Sequence, residues 1–158
     1  MKTTIRKTIS KTDGLSLPDG WKHKTYSQMR AAYSNVSGLT IATSRHLPNG
    51  WCGVYCKATK TILLDERLTY TAKRCTLTHE LIHWMRGDDN CDEESERRTR
   101  ELTALTLIGV EEYAQLEEQY SGNIWRIADE LDVIPSIVRD FCTHCANHPE
   151  MRCDVWSR

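Results

Sequence analysis

Residues 77–84 read LTHELIHW, and the spacing of the two histidines limits what the surrounding chain can fold into. A helix advances about 100° per residue, so His79 and His83 lie roughly 40° apart on one face, one turn apart along the axis. Two imidazole nitrogens placed that way can both reach a Zn²⁺ ion at about 2.0–2.1 Å. Glu80 sits about 100° round from His79 and about 60° from His83. It is badly placed to be a ligand, but it borders the spot where a water to be activated would lie, which suits a general base. Leu77, Leu81 and Trp84 fall roughly opposite the histidines, with Met85 at the edge of that arc. The segment therefore predicts a helix with one face in a core and the other on a cleft. A helix built only for packing has no use for the second face.

Catalytic zinc sites usually draw three ligands from the protein, so a third is expected. The next segment, GDDNCDEESERRTRELTALTLIG, offers Asp88, Asp89, Asp92, Glu93, Glu94, Glu96 and Glu101. On a helix starting near residue 92, Glu96 shares a stripe with Arg100, Thr103 and Leu107, and Glu93 lies about 60° away. Periodicity leaves both open. Most of these carboxylates have a simpler use as a solvated face with partners one turn on, such as Glu93–Arg97 and Glu96–Arg100.

Ahead of this region the pattern is β-rich. GLTIAT (38–43) predicts a strand, and WCGVYCKATKTILLDERL predicts a hairpin of CGVYCK and TILLD joined through ATK. Residues 25–34 fit a short helix. From Thr69 onward the expectation is helical, at about 70–86, 92–109, 110–120, 124–131 and 135–145, with breaks at Gly87 and at SGN (121–123). The fold class expected is α+β: a small antiparallel or mixed sheet in the N-terminal half, packed on a helical second half.

With 158 residues the chain has room for one sizeable core. A net charge of −1 gives no global attraction to nucleic acid or anionic membrane, and no apolar run approaches a membrane span. The N-terminus lacks the apolar stretch of a signal peptide, so the expected location is cytoplasmic. Residues 1–24 carry six Lys/Arg against Asp13 and Asp19 and read as a polar, basic arm. Seven cysteines, an odd number, without a secretion signal argue for thiols or metal ligands over a disulfide framework. Cys52 and Cys56 fit partly buried strand side chains. Cys142, Cys145 and Cys153, with His144 and His148 nearby, offer soft donors for a second metal site, with Cys142, Cys145, His148 and Cys153 as the candidate set.

Residues 124–142 have helix-turn-helix spacing, with Ala128 in the first helix, Val133 in the turn, and Val138 and Phe141 in the second. The second helix offers only Arg139, offset by Asp140. Phosphate contacts need cationic side chains, so packing or substrate docking is expected here and DNA binding is not.

Taken together, TILLDERLT (61–69), CTLTHELIHWMRGD (75–88) and ERRTRELTALTLI (96–108) resemble the ImmA/IrrE family of metallopeptidases, many of them encoded by phages and integrative elements beside repressor genes. In that family a sheet leads into a helix with HExxH, and a second helix follows with a pattern like E-x-x-A-x-x-F-A-x-x-L-(L/I/M). Here Thr99 stands where Ala is usual, Leu102 for Phe, Thr103 for Ala, and Leu107–Ile108 for the apolar pair. The resemblance implies that Glu96 is the third zinc ligand, beside His79 and His83, with Glu80 catalytic. It also implies a zincin-like domain over residues 25–145, including the helix-turn-helix-like segment, followed by a cysteine-containing tail at 146–158. The activity implied is that of a zinc endopeptidase acting on a protein, in particular a helix-turn-helix repressor, in a host bacterial cytoplasm if phage-encoded. The alternative is a zinc-containing regulator that docks on a repressor or DNA without cleaving anything. Tyr70 and Arg86 flank the ligand helix and are the candidates for stabilising an oxyanion.

Overall fold

The computed structural model describes residues 17–88 and 92–151. Among them are six α-helices and a three-stranded mixed sheet, with the sheet in the N-terminal half and helices throughout the C-terminal half. The elements run α1 (Tyr26–Tyr33), β1 (Thr40–Ser44), β2 (Gly53–Cys56), β3 (Thr61–Asp65), α2 (Tyr70–Arg86), α3 (Glu93–Leu107), α4 (Val110–Tyr120), α5 (Ile124–Glu130) and α6 (Pro135–Asn147). Short 3-10 turns lie at Trp21–His23 and Pro149–Met151. No helix of the described residues is long and apolar enough to cross a membrane.

The sheet order is β1-β3-β2. β2 and β3 form the expected antiparallel pair, with Gly53 opposite Leu64 and Cys56 opposite Thr61. β1 joins the far side of β3 in parallel, pairing Thr40 with Thr61 through Ser44 with Asp65. β1 starts two residues later than sequence periodicity suggests. Gly38 takes φ +79°, and the Leu39 N–H bonds back to Val36 O, so the chain is still turning there.

The central strand buries Ile62 and Leu64, and α2 packs across β2 and β3 with Leu77 and Leu81 fully buried. Gly53 makes this approach close: a Cβ built there would lie 2.6 Å from Thr76 Cγ2 and 3.1 Å from Leu63 O. Capping fixes the limits of α2. Thr69 accepts a bond from the Ala72 N–H, and Gly87 ends the helix in a left-handed conformation at φ +67°.

The other face of α2 meets the N-terminal segment. Trp21, which the sequence assigns to the basic arm, is buried, and its Nε1–H donates to Thr78 Oγ1 at 3.0 Å. Arg74 is buried as well, and its guanidinium donates to backbone carbonyls on two separate segments. Lys22 O and Lys24 O take bonds on one side, and Leu131 O and Asp132 O on the other. A buried guanidinium is tolerable only when its donors are met, and these four carbonyls meet them. Asp132, in the α5–α6 turn, has φ +50°, a left-handed position of the kind that favours Gly or Asn. Ala128, Val133, Val138 and Phe141 are all buried, and α6 packs on α3.

Gly53→Ala is expected to cost about 1–3 kcal/mol, the usual range for overpacking. Chemical unfolding would show this as a lower denaturant midpoint; an unchanged midpoint would mean that α2 can retreat from the strand freely.

Candidate metal centre

Three polar side chains from two helices converge on the open face of α2. His83 Nε2 lies 3.1 Å from His79 Nε2 and 3.2 Å from a Glu96 carboxylate oxygen. His79 Nε2 is 3.2 Å from the other oxygen of Glu96. The imidazole rings stand edge to face, with centroids 4.8 Å apart. α2 supplies the histidines one turn apart, and α3 supplies Glu96 from its first turn. Asp92 starts α3 by accepting from the Ser95 N–H at 2.8 Å, which fixes where Glu96 falls. Glu93, the other carboxylate that periodicity left open, is exposed.

The hydrogen bonds around His83 decide which of its nitrogens is free. Asp88 Oδ2 is 2.9 Å from His83 Nδ1, and an ionised carboxylate can only accept. Nδ1 therefore carries the proton, and Nε2 presents a lone pair to the cluster. Arg86 holds Asp88 in place at 3.2 Å, and it also donates to Thr99 Oγ1 at 2.7 Å and to Ser95 O at 3.2 Å. The bond to Glu96 from His79 is the largest influence holding the Glu96 carboxyl down, at about 2.

Whether these residues suit zinc is a question of distances and donor type. Ligand bonds of about 2.0–2.2 Å in a tetrahedral site put neighbouring donor atoms about 3.3 Å apart. The 3.1 Å between the two Nε2 atoms, and the 3.2 Å from each of them to its own Glu96 oxygen, are close to that edge length. Two imidazoles and a carboxylate also form a normal zinc donor set, and a carboxylate behind one histidine is its usual support. The residues fit a metal ion.

Glu80 is buried beside this cluster, and burial pushes its carboxyl above the usual range. The histidines and the Tyr55 backbone N–H on β2 act in the opposite direction. A carboxylate so placed is better adapted to taking a proton than one in open water. From α6, half-buried Asp140 adds a further acidic group: burial raises its pKa, Arg100 and His79 oppose this, and Glu96 adds to it.

The two candidate oxyanion donors are not at the cluster. Arg86 is engaged behind His83, and Tyr70 is exposed at the start of α2, about 13 Å along the helix axis from His79. Of the candidate second set, Cys142 Sγ lies 3.0 Å from Tyr113 Oη, Cys145 is buried, and Cys153 lies outside the described residues. His148 instead groups with Glu101 and His144. Asp88 was one of seven acidic residues in sequence, and its role behind His83 emerges only once Gly87 turns the chain back. Asp140 gave no signal, because the α3–α6 packing that brings it near is a tertiary matter.

No family model and no curated protein matches this chain. Among solved structures, a Mycobacterium tuberculosis transcriptional regulator is similar at TM-score 0.50 and 15% sequence identity, over 77% of this chain and 41% of that chain. The chain thus spans well under half of that protein's length, and at this identity the likeness concerns the fold alone.

Asp88→Asn is expected to weaken the binding of a metal ion at this cluster, with added Zn²⁺ as the probe, by about 10–100-fold, the usual effect of losing a carboxylate behind a ligating histidine. Competition against a chromophoric chelator would measure it, and unchanged affinity would remove Asp88 from the site.

Proposed function

We propose that this chain is a zinc-dependent endopeptidase with a zincin-like domain, acting on another protein. The convergence of His79, His83 and Glu96 at ligand-edge spacing, with Glu80 buried alongside, is the observation that carries the reading. His79, His83 and Glu96 would hold the ion, which when bound polarises a carbonyl and brings the pKa of a water toward neutrality. Glu80 takes the proton of the attacking water and delivers it to the departing amine. Burial, which raises the Glu80 pKa, makes its carboxylate a stronger base toward that water. Asp88 keeps His83 in the tautomer whose Nε2 faces inward.

The resemblance to ImmA/IrrE proteins supplies the substrate class: a helix-turn-helix repressor, in a phage or mobile-element setting, whose cleavage would release its genes. α6 buries its Val138 and Phe141 in the core, and Arg139 lies over the Trp125 ring with 5.6 Å between guanidinium and centroid. A helix occupied in these ways is in keeping with a packing or docking role over a DNA-reading one.

Glu80→Gln should lower cleavage of a co-purified or neighbouring-gene repressor by about 10²–10⁴-fold, the usual worth of a general base, while zinc content stays at the wild-type level. Fragment masses from the zinc-loaded protein would report the cleavage. A wild type that yields no fragments, yet inactivates the repressor equally well as Glu80→Gln, would establish a docking regulator in place of a peptidase.

A further inference from the structure

We infer that Glu101, His144 and His148 form a second metal site, distinct from the His79–His83–Glu96 cluster, that takes a divalent transition-metal ion such as Zn²⁺ and clamps the end of α6 to α3. One ligand atom from each of the three lies within 4.8 Å of the others. They come from two helices that already pack together, so a cross-link here joins tertiary structure.

The hydrogen bonds direct the donor atoms as they do at the first site. His148 Nδ1 lies 2.9 Å from His144 O, and a carbonyl can only accept, so the proton is on Nδ1 and Nε2 carries a lone pair. His144 Nε2 lies 3.1 Å from Met151 Sδ, a weak acceptor. As at His83, the carboxylate oxygen in direct contact with Nδ1, here from Glu101, can only accept, so the proton is on His144 Nδ1 and Nε2 carries the lone pair. Both imidazoles thus keep an Nε2 lone pair available for an ion, beside the Glu101 carboxylate.

The two rings also lie against each other. The His144 and His148 rings lie nearly parallel, with centroids 4.1 Å apart and planes 21° apart. Two imidazolium ions stacked face to face would repel each other, so the arrangement suits neutral rings, the form that binds a metal. Glu101 has a cationic neighbour on its other oxygen, Arg98 Nη1 at 2.6 Å from Oε2. One carboxylate and two imidazoles are a normal donor set for zinc. His148 and Glu101 are half-buried, so an ion can enter from solvent.

Zinc uptake by the full chain, stripped of metal and titrated with Zn²⁺ alone, tests the assignment. Wild type should take up two equivalents, His79→Ala/His83→Ala one, and His79→Ala/His83→Ala/His148→Ala none. Zinc should also raise the melting temperature of the double variant and leave that of the triple variant unchanged. His148 is the residue to change because its loss leaves the buried His144–Glu101 contact intact. Should a variant fail to fold, wild type against His148→Ala alone reads the same loss, two equivalents falling to one, with the first site in place. A double variant that folds but binds no zinc would overturn the proposal and leave a protonated His144–Glu101 pair. Uptake that survives in the triple variant and vanishes on adding Cys142→Ser/Cys145→Ser would overturn it too, by locating the ion on the cysteines. Neither result bears on whether the first site cleaves peptides.

Discussion

His79, His83 and the two oxygens of Glu96 meet through contacts of 3.1–3.2 Å at the junction of α2 and α3, tied there by the hydrogen bond from His79 to Glu96. One such bond, worth about 1.5–3 kcal/mol to a charged acceptor, does not by itself fix the packing of two helices. The α2–α3 geometry must therefore be held by interactions elsewhere, strong enough to keep two imidazoles and a carboxylate facing inward. Much of the fold can be understood as meeting that requirement.

α2 is pinned near both ends by an arginine. Near its N-terminus Arg74 gathers carbonyls from the Trp21–His23 turn and from the α5–α6 turn. Burying a guanidinium costs several kcal/mol unless its donors are satisfied, so the contact works only if both turns are in place. At the C-terminus Arg86 spans to α3 through Ser95 O and Thr99 Oγ1, and holds Asp88 against His83. Between these pins, Gly53 lets the helix lie against β2, close enough for the Tyr55 N–H to reach Glu80. On α3 the close packing falls to two fully buried threonines. Thr99 Oγ1 accepts from Arg86, and Thr103 Oγ1 donates to Thr99 O at 2.7 Å, so the hydroxyls that stand where alanine would suffice carry no unpaired polar group.

The parts legible in sequence are those governed by local chemistry. Thr69, Asp92 and Asn123 cap helices where short polar side chains were available, Gly87 stops α2, and Pro135 opens α6, so the helix limits could be read nearly to the residue. The antiparallel pairing of β2 with β3 follows from their short connection. The histidine pair and Glu80 follow from helical spacing. Spacing alone did not choose between Glu93 and Glu96, since that depends on where the first turn of α3 meets α2. The parallel docking of β1, the burial of Trp21, the support from Asp88 and the approach of Asp140 were out of reach for the same reason. Each depends on segments far apart in sequence, or on a turn whose direction no periodicity records.

The chain carries two histidine pairs at the same four-residue spacing, and they differ in ways that spacing cannot express. His79 and His83 both lie within a regular helix, which sets their rings edge to face at 74° and brings both Nε2 atoms together. His148 instead caps α6 at φ −128° and ψ 74°, outside helical geometry, and its ring lies flat on that of His144. What each pair shares is a glutamate from α3. Glu96 and Glu101 are five residues apart, about 140° round that helix, so one carboxylate faces α2 and the other faces α6. A helix lodged between two others can serve both only if its acidic residues fall on different faces. α3 thus joins the two clusters mechanically, and any force that rotates it would move Glu96 and Glu101 together.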